Sequence, residues 1–345
     1  MIVTDRAVAD LPLTVDFDRN LKMRGLRPQI FAGVRGNPTA GQVAAGKAAF
    51  REHQADSVIG LGGGAALDVA KSVALMAVHD GDILDFAGDN PKRREVQRAL
   101  PYWIALPTTS GTGAEVGRSA VISDDRSHVK HVVFSPSLLA RAVFADPEFT
   151  LDLPAKITAA TGIDALTHNI ESYLSPSYHP ICDGIALEGV KLAARALPAA
   201  FKDGGDWDAR NDMMMASMMG AIAFQKDLGA VHSCAHALSA VLDVHHGLAN
   251  GVMLDYVMRF NAEAAPLKLA ELARVSGAGR SAGDFVEWLT RLKTELGLPA
   301  RWGEVGGTRR HLPRLVDIAF KDSCHKTNPR PVTVNDFERI FSEAL

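Results

Sequence analysis

Short apolar runs bounded by turn-forming residues mark the first half of the chain. Residues 57–61 (SVIGL), 102–106 (YWIAL) and 142–145 (AVFA) each read as a buried strand. Between the first two, residues 65–77 place apolar side chains at helical spacing. Strand, helix, strand predicts a parallel sheet covered by helices. Residues 132–134 (VVF), just before Pro136, predict a further short strand, and Ile2-Val3-Thr4 the end of another. From about Pro154 onward helical periodicity takes over, and alternation with a period of two fades. Asp146-Pro147 and Leu153-Pro154 punctuate the change. The boundary is therefore placed near residue 150, with an α/β domain over 1–149 and a helical domain over 150–345. The methionine-rich run from Met213 to Met219 reads as core helix, because Met fills gaps between packed helices.

Composition narrows the class. A chain of 345 residues is too long for one comfortable core and suits two domains. Its 47% apolar and 22% charged residues are those of an ordinary globular protein. A net charge of −3, with basic pairs such as Arg93-Arg94 and Arg309-Arg310 isolated from one another, excludes a nucleic-acid footprint. Cys182, Cys234 and Cys324 lie far apart, forming neither a disulfide framework nor a CxxC metal site, which fits a reducing compartment. No leader-like segment or apolar run of about 20 residues occurs, so a cytoplasmic protein with no membrane partner is expected.

Two loops carry candidate nucleotide chemistry. Gly62-Gly63-Gly64 follows the 57–61 strand and opens the helix bearing Asp68 and Lys71. Backbone N–H groups at a helix N-terminus bind phosphate only where no side chain blocks the approach. The run is not GxGxxG, since Ala65 stands at the sixth position, and a tight strand-to-helix turn would need the same glycines. Pro107-Thr108-Thr109-Ser110-Gly111-Thr112-Gly113 follows the 102–106 strand and offers four hydroxyls, although Ser110 or Thr112 could equally cap a helix. Two such loops at the C-terminal ends of parallel strands would face one crevice. Asp5, at a strand end, could accept from a ribose 2′-OH and repel a 2′-phosphate, which favours NAD over NADP.

The helical half carries candidate metal chemistry. Asp164 and His168 stand four positions apart, His232 and His236 repeat that spacing, and His246 follows. On a helix, side chains at that spacing share one face. One such pair is more often a surface or core arrangement. Two windows flanked by small apolar residues shift the balance, since a carboxylate there is costly unless paired or ligated. A carboxylate with imidazoles suits Fe(II), Zn(II) or Co(II). HExxH and GxSxG are absent, and the HxxE of His168 and Glu171 lacks the second half of a di-iron motif.

In order and spacing these residues resemble the iron-containing (group III) alcohol dehydrogenases, relatives of glycerol dehydrogenase and dehydroquinate synthase. The resemblance runs from Ile2-Val3-Thr4-Asp5 through Asn37-Pro38-Thr39, Gly62-Gly63-Gly64 with Asp68 and Lys71, and Pro107 to Thr112. It continues through Thr161 to His168, His232 and His236, His246-Gly247 with Asn250, and Asn328-Pro329-Arg330. It implies a dehydroquinate synthase-like fold: a Rossmann-like N-terminal domain that binds NAD(P) and an all-α C-terminal domain that carries the metal. It implies Asp164, His168, His232 and His246 as ligands of Fe2+ or Zn2+. His236 is then a non-ligand beside nicotinamide and substrate that passes on the proton. Asp5, Asn37, Gly62, Gly63, Gly64, Asp68, Thr108, Thr109, Thr112 and Lys130 become cofactor contacts. The implied activity is an NAD-linked alcohol dehydrogenase, or aldehyde reductase, acting on a primary alcohol or hydroxyacid as a cytoplasmic homodimer. The alternative is a reductase of the same fold specialised for 4-hydroxybutyrate or maleylacetate. A lyase like dehydroquinate synthase would need a Lys and Arg cluster that is not evident. The chain departs from the family pattern at Ala65, where serine is common, at Asp255, where proline is usual, and at Arg118-Ser119. The family's chains usually begin with a further strand and helix ahead of the IVTD segment.

Overall fold

The computed structural model describes all 345 residues as two compact units, one of residues 1–109 and 114–149, the other of residues 110–113 and 150–345. The first contains strands β1 (Ile2–Asp5), β2 (Ile30–Val34), β3 (Ser57–Gly62), β4 (Tyr102–Pro107), β5 (Ser119–Ser123), β6 (Lys130–Phe134) and β7 (Ala142–Val143). Its helices are α1 (Arg6–Ala9), α2 (Pro12–Met23), α3 (Ala40–Glu52) and α4 (Gly64–Ala77). Five strands form a parallel sheet in the order β2-β1-β3-β4-β7. β3 and β4 are the best paired, from Ser57 opposite Tyr102 to Gly62 opposite Pro107, because both are apolar and buried along most of their length.

Two sequence expectations need refinement. The 132–134 strand lies outside the parallel sheet: β6 pairs antiparallel with β5 in a separate two-stranded ribbon. The strand expected over 142–145 pairs with β4 in register only at Ala142 and Val143, and the Phe144 N–H makes the last bond to the sheet, to the Ala105 carbonyl, ahead of the turn at Asp146-Pro147. The strand order reverses at β1, whose chain continues to β2 on one side while β3 lies on the other. In open α/β sheets such a switch point opens a crevice at the carboxyl ends of the strands.

The second unit is helical: α5 (Ala155–Leu174), α6 (Pro180–Lys202), α7 (Trp207–Ala223), α8 (Ala230–Leu242), α9 (His246–Asn261), α10 (Pro266–Ser276), α11 (Ala282–Glu295), α12 (Leu312–Lys321) and α13 (Val334–Glu343). From Thr158 onward α5 is buried on nearly every face, so Ile163, Leu166 and Ile170 enter one core with residues of α6, α8 and α9. Helices reach this closeness where one of them lacks a side chain. At Gly247 on α9 a Cβ would lie 2.0 Å from the Ala160 carbonyl oxygen and 3.1 Å from the Asp164 Cβ. Of the run read as core helix, Met213 and Met214 of α7 are buried, Met218 and Met219 are half-buried, and Met215 is 39% exposed, so the run is only partly core. No helix is long and apolar enough to cross a membrane.

Candidate metal centre and dinucleotide pocket

The i, i+4 spacing read from the sequence becomes helix geometry. Asp164 and His168 project from successive turns of α5, His232 and His236 from α8, and His246 from the first turn of α9. One donor atom from each of Asp164, His168, His232 and His246 lies within 4.8 Å of all the others. Asp164 Oδ1 stands 3.9 Å from His168 Nε2, 3.9 Å from His232 Nε2 and 3.6 Å from His246 Nε2. A tetrahedral cation with ligand bonds near 2.1 Å requires donor separations of about 3.4 Å, so a small contraction suffices. His236 is not part of this group: its Nδ1 is bound to Asp322 Oδ2 at 2.8 Å and its ring stacks on His246.

The surroundings prepare these side chains for ligation. Asp164 is 3% exposed and pairs with no Lys or Arg; its neighbours are three imidazoles and the Asn250 amide. A buried carboxylate without a balancing cation is costly, and a metal ion is the counter-charge this donor set fits. Burial pushes His168 down to about 4, so its ring is neutral at physiological pH with a lone pair to offer. Burial works against charge on His232 as well, but the hydrogen bond and charge of Glu171, together with the charges of Asp164 and Asp322, outweigh it and raise that ring.

Glu171, on the same face of α5 as Asp164 and His168, accepts from His232 Nδ1 at 2.6 Å, from the Val231 N–H at 2.7 Å and from the His232 N–H at 3.4 Å. A carboxylate offers no hydrogen, so Nδ1 carries the ring proton and Nε2 is left as the donor atom. The same carboxylate caps the start of α8, and Asn328 Oδ1 accepts from the Ala230 N–H beside it. Gly229 makes this possible: a Cβ there would lie 2.6 Å from Glu171 Oε1. Sequence spacing alone did not assign Glu171 this role, although its position seven residues after Asp164 is a same-face signal.

A second trio, His236, Asp322 and Cys324, also lies close together. Burial would raise Asp322, but bonds from His236, from the Cys324 N–H and from Ser233 Oγ hold its carboxyl well below the usual range. Burial pushes the Cys324 thiol far up, which keeps it protonated and a poor ligand. The trio is a carboxylate–histidine pair with its acceptor sites filled. Asp322 lies 86 residues from His236 in sequence, and no spacing signal announces it.

In the first unit a cavity of about 340 Å³ opens at the switch point, lined by Asp5, Arg6, Val34, Arg35, Gly63 and Ala65 among others. Gly62 takes φ +147°, and a Cβ there would meet Ala66 at 2.6 Å. The N-terminus of α4 at Gly63 has no side-chain cap, as a phosphate-binding turn requires. Asp5 caps α1 through Oδ1, which accepts from the Val8 N–H at 2.9 Å.

The remaining cofactor candidates are spread more widely. Thr108 and Thr109 follow β4, with Thr109 against Gly63, while Thr112 belongs to the helical unit. Asn37 precedes α3, and Lys130 opens β6. Asp68 turns inward, accepting from the Val121 N–H and pairing with Lys71. Lys71 is fully buried and donates to the carbonyls of Ala114, Gly117 and Ser119, so it pins that segment. Arg118 lies over the Phe134 ring.

Comparison with known proteins agrees with this architecture. Residues 1–147 match the family model for iron-containing alcohol dehydrogenase, and residues 158–345 that for the C-terminal part of the Fe-containing alcohol dehydrogenase family. The chain is 39% identical over 333 residues to 4-hydroxybutyrate dehydrogenase of Cupriavidus necator, covering 94% of this chain and 86% of that one. It is 35% identical to 1,3-propanediol dehydrogenase of Klebsiella pneumoniae, covering 100% and 91%. The crystal structure of a 1,3-propanediol oxidoreductase superposes with a TM-score of 0.94 at 34% identity, covering 100% of this chain and 91% of that one. With both halves matched and the fold shared, this chain belongs to the iron-containing alcohol dehydrogenase family and is an NAD-linked oxidoreductase.

Proposed function

We propose that the enzyme interconverts a small primary alcohol or hydroxyacid and its aldehyde with NAD, using Asp164, His168, His232 and His246 as the ligands of Fe2+, with Zn2+ as a second candidate. The observation that carries this reading is the convergence of one carboxylate that has no Lys or Arg partner and three imidazole nitrogens, in a site where Asp164, His168 and His232 are buried. Held by these four residues, such a metal would supply Lewis-acid chemistry toward the substrate oxygen. The protein's own groups do the rest. Glu171 fixes the tautomer of His232, and Asp322 that of His236. With Nδ1–H given to Asp322, His236 keeps Nε2 as the atom that accepts the alcohol proton and hands it to solvent, and its side chain is 31% exposed.

In the cofactor reading, the cavity at the switch point takes the adenosine end of NAD, with Asp5 on the ribose and the bare start of α4 on the pyrophosphate. Asn37, Gly62, Gly63, Gly64, Asp68, Thr108, Thr109, Thr112 and Lys130 complete the assigned set on the family resemblance. The greater identity to the 4-hydroxybutyrate enzyme than to the propanediol enzyme favours a hydroxyacid among the candidates. A cytoplasmic homodimer is part of the same reading and rests on the family resemblance.

The test is an NAD and NADP reduction assay across short alcohols, diols and hydroxyacids, run anaerobically with Fe(II) or Zn(II). Alcohol-dependent NADH formation is expected, and it should disappear together with bound metal in Asp164→Ala. Normal metal content in that variant refutes the ligand assignment. Equal use of NADP refutes the role given to Asp5.

A further inference from the structure

Asn250 lies one turn after His246 on α9 and is fully buried. Its Nδ2 lies 2.7 Å from Asp164 Oδ1, 3.3 Å from His232 Nε2 and 3.3 Å from His246 Nε2. One amide nitrogen therefore touches three of the four donor atoms of the metal centre. Its orientation follows from chemistry. An ionised carboxylate only accepts, so the amide turns one N–H to Asp164 at 2.7 Å and shares the other between the two imidazole nitrogens at 3.3 Å, and Asn250 Oδ1 is left buried with no partner. In the neutral ring His232 Nε2 is an acceptor as well, because Glu171 fixes that form's one proton on Nδ1.

We propose that Asn250 assembles the metal centre in advance, holding Asp164, His232 and His246 at ligating distance before a cation arrives. The proposal rests on the metal reading above. The residue type suits the task. A lysine would neutralise Asp164 and repel the incoming ion, whereas a neutral amide leaves the charge of the donor set intact. A carboxylate oxygen has lone pairs for both a cation and an N–H, so the bond to Asp164 persists after loading. The contacts to the two imidazoles are given up, since each Nε2 has one lone pair. An atom this close to three donors also covers the triangle they form, so Asn250 closes that side of the centre to water and substrate.

The experiment compares metal-stripped wild type with Asn250→Leu, which keeps the volume and loses the donors, and Asn250→Ala, which tolerates folding better. Zn(II) affinity is measured by chelator competition, and the imidazole nitrogens of the metal-free proteins by NMR. A loss of roughly 10- to 100-fold in affinity is expected in both variants, as for other groups that orient ligands. The Nε2 signals of His232 and His246 should lose their hydrogen-bonded shift. Wild-type affinity and unchanged imidazole signals in either folded variant would overturn the role of Asn250. Wild-type protein that takes up no Zn(II) or Fe(II) would overturn the metal reading itself, and with it this proposal.

Discussion

Glu171→Gln isolates what the protein contributes to the geometry of the proposed metal centre. The carboxylate accepts three hydrogen bonds, the two short ones from His232 Nδ1 and the Val231 N–H, at 2.6 and 2.7 Å. Glutamine has the same shape but one acceptor oxygen. If that oxygen serves His232, the amide NH2 faces the Val231 N–H, donor against donor. If it serves Val231, the imidazole loses its anchor and its preferred tautomer. Either way one buried, charge-assisted hydrogen bond is lost, worth about 1.5–3 kcal/mol. At about 1.4 kcal/mol per decade, this weakens metal binding roughly 10- to 100-fold if the cost falls on the ligating state. The measurement is competition for Zn(II) against a chelator of known affinity, with far-UV circular dichroism to establish the fold. A dissociation constant within about threefold of wild type, under ~0.7 kcal/mol, would refute the argument that Glu171 orients the ligand.

Three further predictions concern other parts of the chain. Gly247→Ala drives a methyl group into the Ala160 carbonyl, so α5 and α9 must part; a loss of about 1–3 kcal/mol and reduced metal content are expected from thermal melts and elemental analysis. Asp255→Ala strands the buried Lys293 ammonium, now 2.5 Å from Asp255 Oδ1, at about 3–5 kcal/mol, and adding Lys293→Met should recover most of the loss in denaturant titrations. Burial raises Glu115 from its ordinary 4.5 to about 7, so the folded chain holds a proton that the unfolded chain releases. Its stabilising contribution is complete below pH 4.5 and is lost as pH rises through about 7, by at most about 3 kcal/mol. Melting temperature should therefore fall from about pH 5 to pH 8, less steeply in Glu115→Gln, and equal slopes would refute the assignment.

What the sequence made legible follows a physical divide. β3 and β4 were readable because both faces of each strand are covered, which demands a continuous apolar run. β5 was not: its outward Val121 and buried Ala120 and Ile122 belong to a ribbon whose partner, β6, only the fold identifies. At the metal centre, helical spacing announced pairs within one helix, such as Asp164 with His168. It could not announce contacts between helices. Glu171 meets His232 across 61 residues, Asn250 meets Asp164 across 86, and Asp322 meets His236 across 86. Periodicity reports the face a residue occupies and says nothing of what is brought against it. Residue types suited to ligation therefore stood out, while the groups packed against them needed coordinates.

The bare start of α4 has a thermodynamic consequence. A Ser, Thr, Asp or Asn oxygen is the favoured way to close a helix's first turn, and Gly63 supplies no side chain for the purpose. A bound pyrophosphate would then complete the element as well as take part in the reaction, a mineral keystone set into a peptide arch. Saturation with the dinucleotide should slow amide exchange at residues 64–66 more than at the far end of the same helix. The coenzyme would be a folding partner for this turn, and its cellular abundance would help set how long the protein lasts.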